Sequence, residues 1–152
     1  MASNLHVRSL IEADRWAWQG LYAGYARFYN ALLSDEIADR LWGWLLDSRH
    51  PLEGLLCLTG TTTIGLLHLR ACPHPLSAQD IGFVDDLYVD ADHRGSGAAD
   101  RLALAARDIA IARGWPRLRW VTQFYNTAGR RVYDRYTGGP SDFILYDWPT
   151  RD

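Results

Sequence analysis

Residues 81–102, IGFVDDLYVDADHRGSGAADRL, constrain this chain more than any other stretch. An apolar, β-branched run reads as a strand. Two glycines and a serine follow at once, and then an alanine-rich segment with helical spacing begins. Strand, glycine turn and helix start form the arrangement by which a backbone cradles phosphate at a helix N-terminus. It also commits the chain to an α/β fold, because the helix must lie against the sheet that the strand joins.

The remaining pattern agrees. Residues 5–10 alternate as a short first strand. Over 13–33, Trp18, Tyr22, Tyr25, Tyr29 and Leu32 recur on one helical face. Ser34, followed by Asp35 and Glu36, starts a second helix whose stripe is Ile37, Leu41, Trp44 and Leu45, ending at Pro51. LLCLTG and TTTIGLLHLR read as a hairpin turning near Gly60 and Thr61. ACPHPLSAQD, residues 71–80, is loop by composition. The helix after the glycine turn spans 97–113 and presents Ala98, Leu102, Ala105, Ile109 and Ala112 to the core, until Gly114 and Pro116 end it. RLRWVTQFY is the next strand, residues 126–136 a short helix and DFILYDW a final strand. The order βααβββαβαβ predicts a mixed central sheet flanked by helices, in a single domain covering 1–152.

Composition excludes other classes. A chain of 152 residues that is 48% hydrophobic can bury a sizeable core, and a net charge of −2 gives no basic field for nucleic acid. All sixteen basic residues are arginine. Cys57 and Cys72 form no paired pattern, and the first residues lack the apolar core of a signal peptide. No run approaches the length of a membrane span. A reduced, cytoplasmic protein is the expectation.

Two phosphate motifs fail. A Walker A loop needs Gly-Lys-Ser/Thr, and the chain has no lysine. A dinucleotide fingerprint starting at Gly95 meets Asp100 where its last glycine belongs. What remains is Arg-x-x-Gly-x-Ala, spelled by Arg94, Gly97 and Ala99. This resembles the acyl-CoA pyrophosphate loop of the GNAT superfamily of N-acyltransferases. VDDLYV is similar to the strand that precedes that loop in the family. Asn126, Gly129 and Tyr133, in NTAGRRVYDRY, resemble the Asn-x-x-Ala/Gly-x-x-x-Tyr motif of its fourth helix. The nearest likeness is to the polyamine- and histone-acetyltransferase-like branch, whose first helix is aromatic like WAWQGLYAGYARFY. Two departures stand out. Ala91 replaces a usual proline, and Tyr136-Thr137-Gly138-Gly139-Pro140 replaces a usual Leu-Gly-Phe.

The resemblance implies acetyl-CoA as cosubstrate and direct attack in a ternary complex. It implies cofactor contacts from Leu87, Tyr88 and Val89, largely through backbone, from Arg94, Gly95, Ser96, Gly97, Ala98, Ala99 and Asp100, and from Asn126, Gly129 and Tyr133. The Val89 N–H is the implied oxyanion donor, and Tyr133 the acid that protonates the leaving thiolate; the alternative for Tyr133 is an ordinary buried tyrosine. Deprotonating an amine of pKa about 10.4 at neutral pH costs roughly 4 kcal/mol. Asp85 stands where the polyamine enzymes place a glutamate that takes this proton, usually through water. Alternation sends Asp85 and Asp86 to opposite faces, so one alone enters any given pocket. An acidic pocket walled by Tyr22, Tyr25 or Tyr29 suits a small cationic amine. The alternatives are that the aspartates satisfy backbone or arginine partners, and that the tyrosines pack the core.

His50, Cys57, His68, Cys72 and His74 match no zinc spacing, so no metal is expected. Neither cysteine has a triad context. The aromatic C-terminus, by the same resemblance, implies a homodimer formed near residues 140–152. Two other functions remain open: acetylation of a peptide lysine or N-terminus, and a non-catalytic acyl-CoA-binding module.

Overall fold

A computed structural model describes residues 4–151. Two compact units divide the chain, one running through Val121 and the other from Thr122. In the first, five strands form one sheet in the order β1-β2-β3-β4-β5: Leu5–Ser9, Leu52–Thr59, Thr62–His74, Gln79–Val89 and Leu118–Trp120. The first three neighbouring pairs are antiparallel, and β4 with β5 is parallel. Helix α1 spans Arg15–Phe28, α2 Asp35–Leu46 and α3 Ala98–Ala112. In the second unit α4 spans Thr127–Thr137.

Strand alternation builds a core on each side of the sheet. Leu55, Cys57, Leu67, Leu69 and Val84 pack with Ala98, Leu102 and Ala106 of α3. Leu56, Leu58 and Leu66 pack with Trp18 and Leu21 of α1 and Ala38, Trp42 and Leu45 of α2. Gly24 explains one close approach. A Cβ there would lie 2.6 Å from the Tyr88 hydroxyl, so glycine lets that ring lie against α1.

The expected order holds through α4, with four local differences. Residues 71–80 are not a loop: the β3–β4 ladder continues to His74 opposite Gln79, closed by a single turn at Pro75–Ser77. Composition reports turn-formers but not the partner strand that overrides them. The strand expected over 117–125 is paired only over Leu118–Trp120. DFILYDW forms no strand; Phe143, Ile144, Leu145, Tyr146 and Trp148 are 72–89% exposed, and a strand exists only where a neighbour completes its hydrogen bonds. The helix faces are also turned from those expected. In α2, Ala38 and Trp42 are buried while Ile37 and Trp44 are exposed; in α3, Ala106 and Ala110 join Ala98 and Leu102.

Candidate active site

The glycine turn has the form its composition implies. After one helical turn at Ala91–His93, Gly95 and Gly97 take φ of 78° and 89°, and Gly97 caps the N-terminus of α3. Left-handed φ is what glycine supplies here. A Cβ on Gly95 would meet nothing within 4 Å, and one on Gly97 only Leu5 at 3.9 Å, so the outer side of the turn is open. Ser96 Oγ accepts the Ala98 N–H at 3.3 Å, and Gly97 O accepts from Arg101 N at 3.0 Å. Arg94 leans over the rings of Phe28 and Tyr88, at 5.8 and 6.0 Å, which leaves its charge beside the turn. An open turn, a helix N-terminus and a guanidinium suit a pyrophosphate.

Beside it, β4 loses one of its neighbours. Pairing with β5 covers only Gly82–Val84, while pairing with β3 continues to Val89. The β5 ladder therefore does not reach Leu87, Tyr88 or Val89.

The two aspartates correct the alternation argument. His68 pairs with Asp86 and the next residue, Leu69, pairs with Val84, so Asp85 is an extra residue, a β-bulge. On β3, Leu66, His68 and Arg70 share the α1 face, which is settled by Leu66 in the α1 core and by His68 bonded to Trp18. Arg70 Nε donates to Asp85 Oδ2 at 2.9 Å, and Asp86 accepts from Tyr22 Oη on α1 at 3.0 Å. Both carboxylates thus lie on the α1 side, because the bulge restarts the alternation between them. Asp85 keeps 31% of its side chain exposed and Asp86 only 14%.

Asp86 is the better-held group. His68 Nδ1 lies 2.8 Å from Asp86 Oδ2, and Trp18 Nε1 donates to His68 Nε2 at 2.9 Å. Burial pushes the Asp86 carboxyl up, but hydrogen bonds from His68, Tyr25 and Tyr22 outweigh it and hold the group below the usual carboxylate range. Burial, and then the Asp86 charge, push the Tyr22 and Tyr25 hydroxyls well above their ordinary value, so both remain donors. The rings of Tyr22, Tyr25 and Tyr29 follow one another at 5.3 and 4.8 Å. Among the described residues no group of three or more His, Cys, Asp or Glu could hold a metal.

In the second unit Asn126 is the N-cap of α4. Its Oδ1 accepts from Gly129 N at 3.2 Å and its Nδ2 donates to Thr122 Oγ1 at 3.0 Å. Tyr133 lies on that helix, half-buried. Sequence reading missed Trp18 and Arg70 as site residues and weighed His68 only as a metal ligand. The available signal was a histidine and an arginine at alternate positions of an otherwise apolar strand, TIGLLHLR.

Residues 18–138 match the family model described as the acetyltransferase (GNAT) family. The chain belongs to the GNAT family. It is therefore an acetyl-CoA-dependent acyltransferase. This GNAT protein is 25% identical over 142 residues to the D-amino-acid N-acetyltransferase HPA3 of Saccharomyces cerevisiae, covering 92% of this chain and 88% of that one. Its fold is that of the ribosomal-protein-alanine N-acetyltransferase from Brucella melitensis biovar Abortus 2308, at 24% identity and TM-score 0.80 over 95% of this chain and 98% of that one. It is likewise the fold of the aminoglycoside N-acetyltransferase AAC(6')-Iy in complex with CoA, at 14% identity and TM-score 0.84 over 99% and 98%.

Proposed function

We propose that this GNAT protein transfers the acetyl group of acetyl-CoA to the primary amine of a small cationic metabolite, by direct attack in a ternary complex. The observation that carries this reading is the bulge, which sets two carboxylates on one face against one guanidinium, beneath aromatic α1. The surplus negative charge and the tyrosine rings suit an ammonium group, by Coulomb attraction and by cation–π contact. HPA3 acts on amino acids and AAC(6')-Iy on aminoglycosides, both amine acceptors.

The roles are those that the family resemblance implies for these side chains. The turn from Arg94 to Asp100, with Asn126 and Gly129 of the fourth-helix motif, holds the cofactor, and the β4 backbone over Leu87, Tyr88 and Val89 lines its arm. Asp85, the more solvent-exposed carboxylate, takes the ammonium proton through water. The freed nitrogen attacks the thioester carbonyl carbon while the Val89 N–H receives the oxyanion. The C–S bond breaks, the thiolate leaves with the Tyr133 proton, and the second proton lost by the acylated nitrogen passes through water to restore the tyrosine. The family model spans both units, which favours one functional domain over 1–152. The free thiols Cys57 and Cys72 fit a cytoplasmic setting, and among the described residues no helix is long and apolar enough to cross a membrane. The exposed aromatic C-terminus fits pairing with a second copy.

Acceptor-dependent release of CoA, measured over polyamines, amino acids, aminoglycosides, neutral amines and lysine peptides, tests the reading. Turnover greatest with small cations is expected. Turnover only with peptides, or with none of these acceptors, overturns it.

A further inference from the structure

The hydrogen bonds that end on Asp86 have a fixed direction. An indole N–H can only donate. Trp18 Nε1 lies 2.9 Å from His68 Nε2, so that nitrogen is the acceptor and bears no hydrogen. The ring's hydrogen is then on Nδ1, where it is donated to Asp86 Oδ2 at 2.8 Å. His68 is only 1% exposed, and the ring of Tyr22 meets it edge-on at 4.9 Å. His68 and Asp86 also face each other in the ladder, at the step where the bulge begins.

This direction has an electrostatic consequence. Asp85 and Asp86 carry two negative charges and Arg70 one positive charge, which leaves one negative charge on this face. A doubly protonated His68 would cancel it. It would also turn an N–H toward the Trp18 N–H, with no acceptor between them. Trp18 thereby keeps the ring in the form that donates once, toward Asp86, and adds no charge.

We propose that His68, its tautomer set by Trp18, is the positioning residue that aims Asp86 at the ammonium group of the acceptor and preserves the negative charge of the site. The inference rests on the cationic-acceptor reading above. His68 touches no reacting atom in this assignment; it acts through Asp86.

Two substitutions separate this from plain packing. His68→Asn keeps a donor near the position of Nδ1, whereas His68→Leu fills the space and donates nothing. Steady-state kinetics with a cationic acceptor should show KM for that acceptor raised about 10- to 100-fold in His68→Leu, the span of a hydrogen bond to a charged group. KM for acetyl-CoA should be unchanged, and His68→Asn should recover most of the loss. The acid limb of kcat/KM should move to higher pH in His68→Leu alone, as Asp86 keeps its burial but loses a donor. The other titratable groups around Asp86 are Tyr22 and Tyr25 on α1, and Asp85 beside it on β4 with Arg70 of β3 bonded to that neighbour; neither variant alters them. Nitrogen-15 shifts of His68 in the wild-type protein should report the Nδ1–H tautomer, whatever the variants do to folding. Equal acceptor losses in the two variants, or a hydrogen found on Nε2, would overturn the proposal. A wild-type enzyme that turns over neutral amines as readily as cationic ones would instead overturn the acceptor reading, and the tautomer measurement would still decide the ring's assignment.

Discussion

Arg70 Nε donates to Asp85 Oδ2 at 2.9 Å, and the bulge at Asp85 sets this pair on the face that also holds His68 and Asp86. The two aspartates, adjacent in sequence, therefore do different work. In wild type, kcat/KM should rise with pH as the acceptor loses its proton. Asp85→Asn should lower it near neutrality and cost less at high pH, where more acceptor is already neutral. An unaltered profile in Asp85→Asn would remove Asp85 as the base.

Asp86→Asn should behave otherwise. The amide replaces a carboxylate oxygen at the meeting point of His68 and Tyr22. Losing charge-assisted hydrogen bonds from buried donors should cost about 1–3 kcal/mol of stability, as well as acceptor affinity. Chemical denaturation gives the first and acceptor KM the second. A variant as stable as wild type contradicts the network described for Asp86.

Gly97→Val tests the cofactor turn. Its φ of 89° is unfavourable for any residue with a Cβ, and valine adds branching where backbone must meet phosphate. A loss of about 1–2 kcal/mol in stability is expected, together with loss of the thermal shift that CoA confers. Equal CoA shifts in variant and wild type would count against the turn as the pyrophosphate site.

Tyr133→Phe should lower kcat by about 10- to 10³-fold with CoA affinity little changed, as expected for loss of a general acid. Single-turnover kinetics check that chemistry, rather than product release, carries the effect. An unchanged chemical rate would make Tyr133 a packing residue of α4.

Asp14 fastens the start of α1 to β1. Arg8 donates to its two oxygens at 2.7 and 2.9 Å, and the Ile11 N–H donates at 2.8 Å. The Arg8 hydrogen bonds, more than the opposing burial, hold the Asp14 carboxyl below its ordinary value. Its contribution to stability is thus fully present above the unfolded value of about 3.9 and is lost as pH falls through the lower folded value. Asp14→Asn should lower Tm at neutral pH, and the gap from wild type should close in acid. A gap that persists at the acid end would disprove this origin.

The exposed aromatic terminus gives a last expectation. Light scattering should report about twice the 17.3 kDa chain mass, and removing residues 141–152 should return it to the mass of a single chain. A monomer at micromolar concentration overturns the homodimer.

Much of this could be read from the residues in order. Gly95 and Gly97 marked the turn because left-handed φ is a local demand with a local signature. Tyr22, Tyr25 and Tyr29 marked α1 by spacing. What escaped was set by partners distant in the chain. Residues 71–80 look like loop until β4 pairs with β3, and 142–148 look like strand although they join no sheet among the described residues. The faces of Asp85 and Asp86 were misjudged because alternation is counted along one strand, whereas a bulge is defined by the strand opposite. Trp18 and His68 lie 50 residues apart, too far for any local pattern to join them.

That one surplus residue in β4 also resets the count for the residues after it. Phe83 and Asp85 on one side of the step, and Asp86 and Tyr88 on the other, face α1 because the count shifts between them; Leu87 and Val89 pack with the α3 core for the same reason. Deleting the extra residue would leave plain alternation, with Leu87 still toward α3 and Tyr88 still toward α1, and one of the two carboxylates would be lost from the α1 face. The strand could thus shed that residue without turning its packing faces, so the surplus supplies the second carboxylate and not the core.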